Sequence, residues 1–273
     1  MGRTLYLNGT NNHLVVTRDG PSVWVKSKER AGQRVPVRLL GRVIVIGNVR
    51  LDASAITLLA EHDVPVVFMT HGAEEVAMAI PYNHKLPTHY EEQKVLLECD
   101  EHIRRYEEWA QAKRTIIQTD MMKRLRRLAP ARVRYGIGEG DYQSLLSDLK
   151  PKAEERWALV MGIITNLIRG VIMEQLLKAD LDPHLGVLHR RHNFGLVLDL
   201  CHIMGAESDM QTLQFFRSAQ PALHLTKGKD CWRITDKGMH DIIHRFENRR
   251  RTVHNMVENI IDELFELMRE LRL

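Results

Sequence analysis

Near residue 82 the period of the hydrophobic pattern changes, and that change restricts the chain to two dissimilar parts. Before it, β-branched and aromatic residues come in short runs: "RTLYLN", "HLVVTR", "SVWVKS", "RVPVRL" and "RVIVIG". Such runs pack well on a pleated surface and read as strands. "NGTNN" and "RDGP" punctuate them as turns, the glycines and asparagines supplying backbone conformations that strands avoid. Asp52 stands as a candidate cap before a short helix, "ASAITLLAEHD", and "VPVVFMT" returns to strand. After "PYNHKLPTH" the spacing becomes helical. Glu91 to Arg127 contains no proline or glycine. Trp157 to Leu177 places Leu159, Ile163, Leu167 and Val171 among further apolar residues, the mark of a central core helix. Val253, Val257, Ile260, Leu264, Leu267 and Leu271 step by four and three, a coiled-coil-like seam for packing inside the helical part or against a second copy. The expected class is α+β. A small β-sandwich-like domain over residues 1–82 precedes a larger all-α domain over residues 83–273.

Composition narrows the setting. A hydrophobic fraction of 44% and a charged fraction of 27% suit a soluble globular protein. No apolar run reaches the length of a membrane span, and the N-terminus lacks the charged and apolar regions of a signal peptide. Cys99, Cys201 and Cys231 are far apart and unpatterned, which argues for a reducing, cytoplasmic location and against a disulfide framework. The net charge of +4 permits a nucleic-acid partner without requiring one, so clustering decides. "MMKRLRRLAPARVR" carries Lys123, Arg124, Arg126, Arg127, Arg132 and Arg134 and no acid. Two or three cations would complement a helix dipole; six in an unbroken run suit a phosphate backbone. Arg190 and Arg191 add to the set, and Arg245 and Arg249 form a weaker cluster because acids follow closely.

Four residues are candidates for chemistry. Glu139 in "GIGEGDYQ" is flanked by glycines just after the basic run, where a helix-entry acid is the plain reading and close approach of a ligand the functional one. His189 ends "DPHLGVLH", a chain reversal followed by a buried approach. Asp199 and His202 lie three apart on a helical stretch, "FGLVLDLCHIMG", and so share a side. An aspartate between Leu198 and Leu200 needs a partner to be buried, either a hydrogen bond, a metal ion or His189. Carboxylate plus imidazole suits Mg²⁺ or Mn²⁺, with the imidazole tilting toward Mn²⁺. A zinc site built from His184, His189, His192 and His202 matches no trusted spacing.

The segment "LLKADLDPHLGVLHRRHNFGLVLDL" resembles the signature of the CRISPR adaptation integrases, the endonuclease/integrase family that inserts spacers into CRISPR arrays. Asp182, Pro183, Gly186 and His189 match its first half and Asp199 its second. The "LYLNG" opening and the "CWRITDKGMHDIIHRFENR" strand-turn-helix are similar as well. The resemblance implies a metal-dependent DNA integrase that joins DNA by attack of a 3′-hydroxyl on a phosphodiester. It also implies a homodimer through the β domain, double-stranded DNA with 3′ ends as partner, and a small ferredoxin-like adaptation subunit. By position, Glu139 and His189 match two of the family's metal ligands. His202 stands where the third, an acid, is expected, and "IMGAESD" stands where an arginine is expected. A non-catalytic DNA-binding scaffold of the same fold is the alternative that His202 favours.

Overall fold

A computed structural model describes residues 2–9, 13–27, 31–70, 75–81, 86–125, 136–218, 221–228 and 232–272. Arg126, Arg127, Arg132 and Arg134 of the basic run, and Cys231, lie outside the described residues. The chain separates into two compact units, residues 1–85 with 222–240, and residues 86–221 with 241–273.

Among the described residues, the first unit carries two four-stranded sheets and a two-stranded one. In chain order its first strands are β1 (Arg3–Asn8), β2 (Leu14–Asp19), β3 (Ser22–Ser27), β4 (Gln33–Pro36), β5 (Leu40–Ile46) and β6 (Val49–Leu51). Helix α1 (Ala53–Ala60), β7 (Val66–Met69) and β8 (Glu75–Ala79) follow. One sheet runs β1-β5-β7-β8 and the other β4-β3-β2-β6. Leu7, Val16, Val23, Val43, Val45, Leu58 and Val66 form a shared core, so the sandwich-like expectation holds.

The pairing departs from a run of hairpins. β1 pairs with β5, and β5 with β7, in parallel, and β1 and β2 belong to different sheets. "RDGP" does close a hairpin, with Asp19 opposite Ser22 and Gly20 at φ +60°. "RVPVRL" divides into β4 and a 3-10 turn over Val37–Leu39, since Pro36 has no N–H to continue a ladder. Asp52 precedes α1 but makes no side-chain capping bond.

The second unit is helical. It begins with α2 (Tyr90–Lys94), a 3-10 turn (Val95–Leu97) and α3 (Asp100–Arg124). The stretch expected as one helix from Glu91 is thus broken: Cys99 is extended at φ −148°. Helices α4 (Glu139–Leu149), α5 (Glu154–Lys178), α6 (Gly195–Ile203) and α7 (Gly205–Ser218) follow. From residue 222 to 240 the chain belongs to the first unit, where the short α8 (Pro221–His224) leads into the antiparallel pair β9 (Leu225–Lys227) and β10 (Trp232–Ile234). The chain closes with α9 (Asp236–Glu270).

The seam on α9 is buried by the chain itself at Val253, Val257, Ile260, Leu264 and Leu267. Contrary to the sequence expectation, α5 is long and apolar enough to cross a membrane. However, 67% of its most apolar stretch is buried within the protein, with Ile163, Leu167 and Val171 inaccessible, which is the position of a core helix. Tyr142 and Leu146 of α4 pack with Met121 and Met122 of α3, Trp157 of α5 and Met210 of α7. That cluster fixes the start of α4, where Glu139 stands.

Candidate functional site

Two glycines shape the turn that carries His189. A Cβ on Gly186 would lie 2.2 Å from the carbonyl carbon of Gly195, and one on Gly195 would lie 2.8 Å from the carbonyl oxygen of His189. Backbone therefore packs directly on backbone, which side chains at these positions would forbid. The carbonyl of Pro183 accepts from the N–H of Leu196 at 3.1 Å, satisfying a first-turn amide of α6. His184 belongs to this scaffold: its Nδ1 accepts from the Phe194 N–H at 3.1 Å and its ring stacks on Phe194.

Asp199, on α6, closes the turn from within. It is fully buried. Its Oδ2 accepts from the N–H of Val187 at 2.7 Å, the N–H of Leu188 at 3.1 Å and the hydroxyl of Tyr106 at 3.1 Å. Its Oδ1 accepts from the N–H of His189 at 2.9 Å and from that residue's ring Nδ1 at 2.7 Å. A carboxylate with five donors has no oxygen left for an ion. Asp199 orients His189, whose side chain is 33% exposed and whose Nε2 is the ring nitrogen not used by Asp199. His192 and His202 flank it, with ring centroids 5.7 and 6.4 Å away.

Glu139 is the first residue of α4; α3 supplies two of its partners and α4 the third. Arg114 grips both oxygens, Nε to Oε2 and Nη2 to Oε1, each at 3.1 Å. Gln118 and Gln143 each donate to the carboxylate at 2.7 Å. The guanidinium, foremost, holds the Glu139 carboxyl at about 2, below its ordinary 4.5. Arg114 Nη1 also donates to the backbone carbonyl of His202, tying α3, and through Glu139 α4, to the end of α6. Desolvation first, then the positive neighbour Arg114 and His189, push the His202 imidazole below its ordinary 6.5. The site is therefore one connected group: Glu139 to Arg114, Arg114 to His202, His202 beside His189, and His189 to Asp199.

Arg114, Gln118 and Tyr106 were not singled out in the sequence. A signal was present, since 106, 110, 114 and 118 step by four along α3 and Tyr106, Ala110 and Gln118 are buried.

Of the basic residues, Lys123 pairs with Asp120 at 3.1 Å and is exposed, as is Arg124. Arg190 and Arg191 are exposed next to His189. Arg245 pairs with Asp241, and Arg249 is held through two nitrogens by the buried Glu207. Arg249 therefore already serves the helical packing, and Arg245 is engaged within α9.

A β unit with two sheets followed by a helical unit is the architecture that the resemblance to the CRISPR adaptation integrases implies. The model of the family described as CRISPR associated protein Cas1 matches residues 5–148, and the chain belongs to that family. A Cas1 protein from Thermotoga maritima superposes with a TM-score of 0.81 at 17% identity, covering 99% of this chain and 97% of that one. A casposase bound to integration product superposes at 0.74 with 16% identity, covering 98% and 91%. A Cas1–DNA complex gives 0.60 at 14% identity, covering 95% and 91%. At these identities the likeness is one of fold. No curated protein matches the chain in sequence.

Divalent-metal dependence is general in this family. The residues here do not fit such an ion as they stand. The charge of Glu139 is matched by Arg114, Asp199 is saturated by donors, and His202 brings no negative charge. Hard divalent ions are held by carboxylate oxygens with charge to spare. Among the described residues no three His, Cys, Asp or Glu side chains converge at metal-binding range.

Proposed function

We propose that the protein acts in the DNA-integration step of CRISPR spacer acquisition as a DNA-binding subunit of the integrase fold. Family membership supports the setting, and the likeness to a casposase on its integration product and to a Cas1–DNA complex supports the DNA role. Lys123 and Arg124 at the end of α3, with Arg126, Arg127, Arg132 and Arg134 in the segment after it, hold backbone phosphates of double-stranded DNA. Arg190 and Arg191 extend that contact to the turn bearing His189. His189, fixed by Asp199, offers its second ring nitrogen to a phosphate oxygen. Strand transfer falls to an active paralogue with a complete acidic site. The β unit supplies the homodimer contact, a small ferredoxin-like adaptation subunit bridges dimers, and the assembly works in the cytoplasm.

The observation that carries this reading is the Arg114–Glu139 pair beside His202, which leaves the family's ligand positions without surplus negative charge. The test pairs two assays on the purified chain: anisotropy with a labelled duplex, and joining of that duplex to a plasmid in Mg²⁺ and in Mn²⁺. Tight binding with no joined product in either ion is expected.

One observation favours a second reading, metal-dependent strand transfer by Glu139, His189 and His202 around Mg²⁺ or Mn²⁺. A histidine that donates one ring nitrogen to a carboxylate is the usual arrangement of a metal ligand, and His189 has it at 2.7 Å. Under this reading joined product forms and Glu139→Gln abolishes it.

A further inference from the structure

We infer that Arg114 is the residue that keeps this pocket from taking up a divalent cation, its guanidinium standing in the place where an ion would meet Glu139. The inference rests on the DNA-binding reading above and names the device behind it.

Three independent features of the structure converge on this arginine. The first is geometric fit. The planar fork meets both Glu139 oxygens at 3.1 Å, the bidentate match of guanidinium to carboxylate, while Gln118 and Gln143 hold the carboxylate in that plane. The second is that the arginine is anchored at its far side. Nη1 donates to the carbonyl of His202, and the side chain is only 14% exposed. An arriving ion would have to break both oxygen contacts and leave a largely buried guanidinium without its carboxylate, which is unfavourable at low solvent exposure. The third is space. Gly205, first residue of α7, has no side chain, and a Cβ there would stand 2.9 Å from Arg114 Nη1. The guanidinium therefore occupies room that any larger residue at 205 would contest.

Two substitutions are then needed to make a cation site, not one. His202→Asp supplies a second acid but leaves Glu139 gripped. Removing the guanidinium frees Glu139. The experiment is binding of Mn²⁺ alone, followed by loss of its free-ion electron paramagnetic resonance signal, on the full chain without DNA. It compares wild type, His202→Asp, the double variant Arg114→Gln with His202→Asp, and that double variant with Glu139→Gln added. Thermal unfolding of each reports folding.

The expected result is no stoichiometric uptake by wild type or His202→Asp up to about 1 mM. The double variant takes one Mn²⁺ per chain at least about tenfold more tightly, and Glu139→Gln removes it. Uptake of one Mn²⁺ by wild type or by His202→Asp as tight as in the double variant overturns the inference. So does a folded double variant that binds none. If the double variant does not fold, His202→Asp decides alone: silence supports the inference and one bound ion overturns it. Because no DNA is present, failure here is separate from failure of the DNA-binding reading.

Discussion

Asp199 and His189 are joined twice through one oxygen, Oδ1 receiving the backbone N–H at 2.9 Å and the ring Nδ1 at 2.7 Å. Oδ2 takes Val187, Leu188 and Tyr106, so the buried carboxylate organises the whole turn from 187 to 189. Asp199→Asn presents an amide N–H₂ to groups that are themselves donors. We expect a loss of about 3 kcal/mol or more, the scale of buried hydrogen bonds to a charged group. Urea unfolding measures it; a loss under about 1 kcal/mol would mean the turn is held by other contacts.

The acid limb of stability should report the Arg114–Glu139 pair. The folded carboxyl sits at about 2 against an ordinary 4.5, so the native state binds fewer protons than the unfolded chain between those values. The contribution is complete above about 4.5 and is lost as pH falls toward about 2. Glu139→Gln should flatten that part of the curve of melting temperature against pH. Since the glutamate side chain is 41% exposed, solvent screening makes the effect modest. An unchanged acid limb contradicts the pairing.

Behind Glu139, α4 is tied to α7 by the Tyr142 hydroxyl, which donates to Asp209 at 2.8 Å. Burial pushes the Asp209 carboxyl up from its ordinary 3.8, so its ionisation works against the fold. Stability from this group is present at low pH and is lost as pH rises above 3.8 through the raised value. Asp209→Asn should remove that loss. Tyr142→Phe strands the carboxyl and should cost about 1–3 kcal/mol. Chemical unfolding of both variants at several pH values checks the pair.

DNA affinity should depend steeply on salt. Replacing both Lys123 and Arg124 with alanine removes two phosphate contacts, and the slope of log affinity against log salt should fall by about 2. Anisotropy titrations between low and moderate salt read it. The same slope in the variant would place the DNA elsewhere. Arg249→Ala should act differently, lowering stability because the buried Glu207 loses its cation and keeps, among the described residues, only the amide of Gln211.

Local signals in the sequence were dependable where contacts are local. The helical period of α5, the Asp182–His189 turn with its Gly186 and the shared side of Asp199 and His202 are set by neighbours within a few residues. The parallel pairing of β1 with β5, Leu5 opposite Val43, was not legible. No turn chemistry encodes a partner so distant in the chain, and "NGTNN" lies between strands of different sheets rather than within a hairpin. The partners of Glu139 were missed for a related reason. Arg114 and Gln118 sit in a highly charged helix, where polar residues ordinarily face water, and their inward stripe shows only when Tyr106 and Ala110 are counted with them. The break at Cys99 left no proline or glycine to betray it.

The most direct measurement is strand transfer itself. Labelled duplex with free 3′ ends is incubated with a supercoiled plasmid, the purified protein and Mn²⁺, and the products are resolved by gel alongside binding of the same duplex. The account predicts bound duplex and no joined product, with none gained in Mg²⁺. Joined product that disappears in Glu139→Gln would contradict it.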